Sequence, residues 1–229
     1  MHTRAAGALA LILTTGAALG QVATDTAPTT PPAPADPGSP SVDSPAEPKW
    51  SFNASADFFF IPDQRDYISP TVTADKDWMH FEFRYNDAAL DTATLFVGYN
   101  FKAGDEFTFQ LTPIIGGFFG SENGIAPGFE LTLAYKDFEF TATGEYLFDL
   151  SDSTRSSDYF YNWSQLTYSP LEWFNFGLVA QRTKVYKSER EFEPGVFVGF
   201  VVEKVDLAFY VFKLNEDQAS FVFSIGVGF

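Results

Sequence analysis

From Lys49 onward, apolar residues recur at every second position through most of the chain. A period of two gives each segment one apolar and one polar face, the signature of a strand between two different surroundings. Turn residues break the pattern at regular intervals. It predicts strands over 50–61, 66–74, 78–85, 92–101, 106–116, 127–135, 138–148, 159–168, 173–183 and 194–203, an eleventh ending near Lys213, and a twelfth over 221–229. The last is the clearest: Phe221, Phe223, Ile225, Val227 and Phe229 share one face, with mostly small or polar residues between them.

These lengths cluster around the ~9–11 residues that a tilted membrane-crossing strand needs. No apolar stretch is long enough for a spanning helix, so any spanning falls to strands. Merging the second and third strands would give eleven and put the chain ends on opposite sides, which single-chain bacterial barrels avoid. A break at Asp75-Lys76-Asp77 restores even parity. Twelve is the expected count, with ten or fourteen as alternatives. The expected fold is therefore all-β: an antiparallel up-and-down transmembrane β-barrel over 49–229.

The terminal segment resembles the closing strand of Gram-negative outer-membrane β-barrels, whose final aromatic residue serves as an assembly signal. That resemblance implies the outer membrane and puts Phe229 at the periplasmic side. The connections at 75–77, 102–105, 136–137, 169–172 and 204–205 then all fall in the periplasm, and all are short. The opposite set includes the longer, polar 119–126, 149–158 and 184–193. Short periplasmic turns and longer outer loops are the expected asymmetry. A soluble β-sandwich would alternate equally well but would not explain it.

The start of the chain changes the picture in one respect. His2 and Arg4, the apolar run 8–13 and the small residues Ala18-Leu19-Gly20 predict a secretory signal peptide over 1–20. Residues 21–48 are rich in Pro, Ala and Thr and hold no aromatic residue. Such a segment buries too little surface to offset its ordering entropy, so a disordered periplasmic linker is expected, with a periplasmic partner as its alternative role. The chain has no cysteine and a formal net charge of −16. Disulfides are therefore excluded, and nucleic acid is not an expected partner.

Strand parity turns a second set of residues inward: Asp57, His80, Glu82, Arg84, Thr94, Gln110, Glu130, Thr132, Glu139, Thr141, Glu145, Trp163, Gln165, Asn175, Gln181, Glu203 and Asp206. A base facing mid-membrane lipid would cost about 2–4 kcal/mol, an acid less, so these residues predict a polar lumen. Register across the turn at 136–137 sets Glu130 beside Thr143, with Glu145 on its diagonal. The candidate lumen-lining residues are His80, Glu82, Arg84, Glu130, Glu139 and Glu145.

Three functions are compatible with this set. The first is a porin-like passive channel for small solutes, favouring cations because rings of acid attract them. The second is a closed structural or partner-binding barrel, plugged by those same residues in salt bridges. The third is a lipid-modifying enzyme, which would need His80 at the lipid face beside a hydroxyl. Parity instead turns His80 inward, so no catalytic residues are assigned and no enzyme is expected. Asp149, Asp152 and Asp158 lack the spacing and glycine of a calcium loop. Neither a metal nor a cofactor is expected, and the expected partners are outer-membrane lipid and small solutes or cations.

Two further segments, Gly124-Ile-Ala-Pro-Gly-Phe-Glu130 and Leu166-Thr-Tyr-Ser-Pro-Leu171, the latter near Gly177-Leu-Val-Ala-Gln-Arg182, are read with Arg84-Tyr-Asn86 and Val97-Gly-Tyr-Asn-Phe101. Together they resemble a group of uncharacterised proteobacterial outer-membrane, porin-like barrel proteins. The resemblance implies compartment and fold, and carries no activity or site residues. Gly124 to Gly128 is expected to be a loop entering a strand at Pro127.

Overall fold

The computed structural model describes residues 49–150, 158–185, 191–214 and 219–229. The expected signal peptide and linker lie outside them, as does Asp152. The described chain forms strands β1 (Ser51–Phe60), β2 (Tyr67–Lys76), β3 (Met79–Tyr85), β4 (Thr92–Tyr99), β5 (Phe101–Ala103), β6 (Phe107–Gly120), β7 (Gly124–Tyr135), β8 (Phe138–Asp149), β9 (Tyr159–Leu171), β10 (Phe174–Val185), β11 (Glu191–Val202), β12 (Val205–Phe212) and β13 (Ser220–Gly228). Each pairs antiparallel with its sequence neighbour, β1 pairs with β13, and β4 and β5 both pair with β6. The sheet is thus closed and leaves no open edge.

β4 and β5 are two halves of one stave, so the barrel has twelve. Register is the same on either side of the gap, Gly98↔Ile114 before it and Phe101↔Leu111 after it. Pro113 of β6 lies opposite the gap and has no N–H to continue the ladder. On the other edge the Asn100 backbone N–H donates to Trp78 O at 2.7 Å, and its side chain turns into the barrel, 7% exposed.

Closure also joins the ends of the sheet. Phe52 and Phe229 exchange both backbone hydrogen bonds at 2.9 Å, and their rings stack at 5.8 Å. The connections at this end, 77–78, 104–106, 136–137, 172–173 and 203–204, are all short. Asp77, Lys136 and Glu203 take positive φ at the first position of three of them. We call this the turn end and the opposite rim the loop end.

The predicted break between the second and third strands is present, at Asp77-Trp78. Several boundaries differ. The expected outer loop 119–126 contracts to 121–123, because β6 continues to Gly120 and β7 starts at Gly124. Pro127 therefore sits inside a strand. It pairs with Ile115 of β6, while the ladder to β8 passes from Ile125↔Phe148 to Gly128↔Glu145. The turn expected at 169–172 falls at 172–173, where a register shift between Phe174 and Phe176 absorbs the extra residue. Glu203, expected inward, is an exposed turn residue.

The outside is apolar. Phe81, Phe83, Leu95, Val97, Leu178, Val198, Phe200 and Phe209 are all exposed large hydrophobics. Trp50, Trp78, Tyr99, Phe101, Phe107, Tyr135, Phe138, Trp173 and Phe229 add exposed aromatic rings around the turn end.

Small inward residues make room for large ones across the narrow interior. A Cβ on Gly116 would lie 2.4 Å from the Phe96 ring and 2.8 Å from Leu95 O. Neither contact is tolerable, so β6 needs glycine there for Phe96 to lie inside. Gly116→Val is expected to destabilise the barrel by about 1–3 kcal/mol through overpacking, read as a lower urea midpoint of unfolding in detergent. An unchanged midpoint would show that Phe96 does not occupy this position.

Candidate functional site in the barrel lumen

Five of the six predicted lumen residues meet in one cluster. His80, Glu82 and Arg84 come from alternate positions of β3, Glu130 from β7 and Glu145 from β8, all inward by the two-residue period. The Glu130↔Thr143 register confirms the diagonal placement of Glu145. Glu139 stands apart, in a cavity nearer the turn end that it lines with Asn53, Thr141, Gln165 and Asp206 on one side and Phe197, Leu207 and Tyr210 on the other.

Arg84 is the centre and is 1% exposed. Its Nε and Nη2 donate to the two oxygens of Glu82, each at 2.8 Å. Nη1 donates to Glu145 at 2.5 Å and to Asp87 at 3.3 Å, and Nη2 reaches Glu130 at 3.4 Å. The guanidinium carbon also lies 4.6 Å from the centre of the Phe96 ring. One planar fork thus ties together three strands and the β3–β4 loop, a geometry a lysine ammonium could not reproduce.

His80 joins this core to a second group of side chains. Its Nδ1 lies 2.9 Å from Asp75 Oδ1, and its Nε2 lies 3.7 Å from Glu82 Oε2 and 3.9 Å from Glu130 Oε2. Asn100 donates to Asp75 at 2.7 Å and accepts from the Thr112 hydroxyl at 2.7 Å. Both ring nitrogens therefore face carboxylates and neither faces a hydroxyl. The arrangement that a Ser–His hydrolase requires is not formed at His80.

Above the cluster, toward the loop end, the interior is dry. Phe59, Phe96, Phe118, Leu147, Tyr161, Trp163, Val179, Phe212 and Val222 pack there, each no more than 3% exposed, and Phe197 and Tyr210 form the lower edge of the packing, lining the cavity around Glu139. Trp163 meets the Tyr210 and Phe212 rings edge-on at 5.5 and 5.4 Å. Between β3 and β4 the loop dips inward over this layer at its centre: Asp87, Ala88 and Ala89 are 1%, 1% and 7% exposed, while Leu90 stays at the surface. Arg84 holds Asp87, and the Tyr159 hydroxyl donates to Ala88 O at 2.5 Å. On the far wall Glu193 accepts from Gln181 and pairs with Lys213.

Below the cluster, toward the turn end, the lumen-facing side chains are open to solvent. Asn53, Ser55, Asp75, Gln110, Glu130, Thr132, Glu139, Thr141, Asp206 and Ser224 are partly exposed. The cavity around Glu139 holds about 40 Å³, room for a few waters. The lumen thus consists of a polar vestibule open at the turn end, a charged floor, and an aromatic layer beneath the loops.

The aromatic layer, the inward dip at 87–89, Asn100 and Glu193 were not among the predicted site residues. A signal for the layer exists in the sequence. Phe58-Phe59-Phe60, Phe118-Phe119 and Phe221-Val222-Phe223 are apolar on both faces, which an open aqueous lumen does not call for. Asp87 carries no such mark, since a loop has no parity.

No family profile and no curated protein sequence matches the chain. Among solved structures, the fold is similar to the KdgM porin, with TM-score 0.55 and 10% identity over 77% of this chain and 99% of that one. The KdgM porin in complex with disordered oligogalacturonate gives 0.54 and 10%, over 78% and 99%. The NanC porin gives 0.53 and 13%, over 78% and 98%. At these identities the likeness establishes a porin-like β-barrel fold.

Removing the guanidinium would leave Glu82, Asp87, Glu130 and Glu145 crowded without their shared partner. Arg84→Met is expected to cost about 3–5 kcal/mol, the range for breaking a buried ion pair from one side. Urea unfolding in detergent measures it. A loss below 1 kcal/mol would mean that the cluster is not held by Arg84.

Proposed function

We propose that the chain is an outer-membrane barrel of the porin type that rests closed, with an acidic vestibule facing the periplasm and a seal facing the cell exterior. The observation that carries this is the complete burial of the mid-lumen: Arg84 1%, Phe96 2%, Tyr161 0%, Tyr210 1% and Phe212 0% exposed. A water-filled pore would wet at least part of these side chains. The exposed apolar belt around the outside fits a lipid surround, because a patch of this extent is not stable in water. Phe229 and the short turns fit the periplasmic side, and the longer connections fit the exterior.

The seal is not displaced by ordinary fluctuation. Exposing a buried Phe to water costs about 1.5–3 kcal/mol, and the layer holds several. Glu82 and Glu145 are bound up with Arg84 and line no aqueous path. Any cation preference therefore comes from Asp75, Glu130, Glu139 and Asp206, which remain in contact with the vestibule.

A second reading, a steadily open channel for small solutes, is favoured by the fold shared with the KdgM and NanC porins. Planar bilayers separate the two. Wild-type protein is expected to give rare or no conductance steps, and Phe96→Ala/Trp163→Ala to give frequent, cation-preferring ones. Steady steps of equal size in both proteins would support the open channel and overturn the closed one.

A further inference from the structure

The cluster holds more carboxyl groups than cations of its own. Asp75, Glu82, Asp87, Glu130 and Glu145 surround one guanidinium and one imidazole. Carboxylates this close repel unless a cation or a shared proton intervenes. One polar atom points into the gap without a hydrogen bond: His80 Nε2, on a side chain that is 6% exposed. It faces Glu82 Oε2 and Glu130 Oε2, and the three ligand atoms lie within 4.8 Å of one another.

We propose that His80, Glu82 and Glu130 form a binding site for a divalent metal ion of the zinc class, open to the periplasmic vestibule. The spacing fits. Two ligands each about 2.0–2.1 Å from a tetrahedral Zn²⁺ lie about 3.4 Å apart. The imidazole-to-carboxylate separations of 3.7 and 3.9 Å need only a few tenths of an ångström of contraction. The donor set also fits, since a neutral imidazole with carboxylates suits zinc better than the all-oxygen ions calcium and magnesium.

The ring is already oriented for this role. Asp75 holds Nδ1 at 2.9 Å, which presents Nε2 as the ligand atom, and Asn100 and Thr112 fix Asp75 in turn. A carboxylate behind a histidine is the usual outer support of a metal site. Arg84 occupies one lone pair of Glu82 Oε2 and leaves the other free. Glu130, with its side chain 24% exposed, gives the path from the vestibule and leaves a fourth position for water. Sequence reasoning assigned no metal here because Glu130 reaches the pair on β3 only across the barrel.

The test uses the purified full chain in detergent, titrated with ZnCl₂ and followed by equilibrium dialysis. Zinc K-edge absorption then identifies the ligands on wild-type protein. One Zn²⁺ per chain is expected, with nitrogen and oxygen neighbours. His80→Ala and Glu130→Gln should abolish stoichiometric binding. Asp75→Asn should weaken it by roughly tenfold, and Glu139→Gln should leave it unchanged. Glu130 is partly exposed and keeps its shape as the amide, so this variant is expected to fold, and heat-modifiable migration on gels checks this. Absence of stoichiometric Zn²⁺ on wild-type protein, as a doubly protonated His80 acting as the cation itself would give, overturns the proposal. So does wild-type affinity in both His80→Ala and Glu130→Gln. Conductance plays no part in these readouts, so the metal site and the closed barrel stand or fall separately.

Discussion

A β-sheet that closes on itself must satisfy the backbone of its first and last strands with each other, and here that constraint orders everything else. Once β1 pairs with β13, from Asn53↔Gly228 to Phe60↔Phe221, each of the twelve staves has a partner on both sides and each strand residue faces either in or out. The inward half must then fill or wet a cylinder of fixed width. Glycine at 116 and 128 and large residues at Phe96 and Glu145 are two halves of the same solution, one yielding the space the other takes.

The interior meets this demand with two chemistries at different heights. Nearer the loops, rings pack as in a soluble protein core and exclude water. Nearer the turns, hydroxyls, amides and carboxylates stay hydrated. Arg84 lies at the boundary and belongs to both, with its face on Phe96 and its five donors directed at acids. Burying a guanidinium is costly on its own, and the fork geometry offsets that cost by satisfying several carboxylates at once. The same residue holds Asp87 and so keeps the centre of the loop 86–91 inside the barrel.

Much of this was legible in the sequence because parity is a strong constraint. Period-two alternation located the strands, turned His80, Glu82, Arg84, Glu130 and Glu145 inward, and set Glu130 on the diagonal from Glu145. Parity says which face a side chain takes, but not how far it reaches across the lumen or what it meets there. The convergence of β3 with β7 and β8 on Arg84 depends on barrel width and side-chain length, so the cluster could be read only as a tendency. The inward dip at 87–89 was beyond such reasoning, since a loop carries no alternation. The start of β7, Gly124 to Ala126, was missed for another reason: the neighbouring glycines and proline suggest a turn, and pairing with β6 on one edge overrides that local preference.

The central claim is that the lumen is sealed between the vestibule and the loops, and a chain without cysteine permits a direct measurement of it. Single cysteines at Thr132, in the vestibule, and at Thr94, 1% exposed within the seal, can be offered a water-soluble thiol reagent the size of a small sugar. The account predicts rapid modification of Thr132→Cys and none of Thr94→Cys in the folded barrel. Equal rates at the two positions would contradict it.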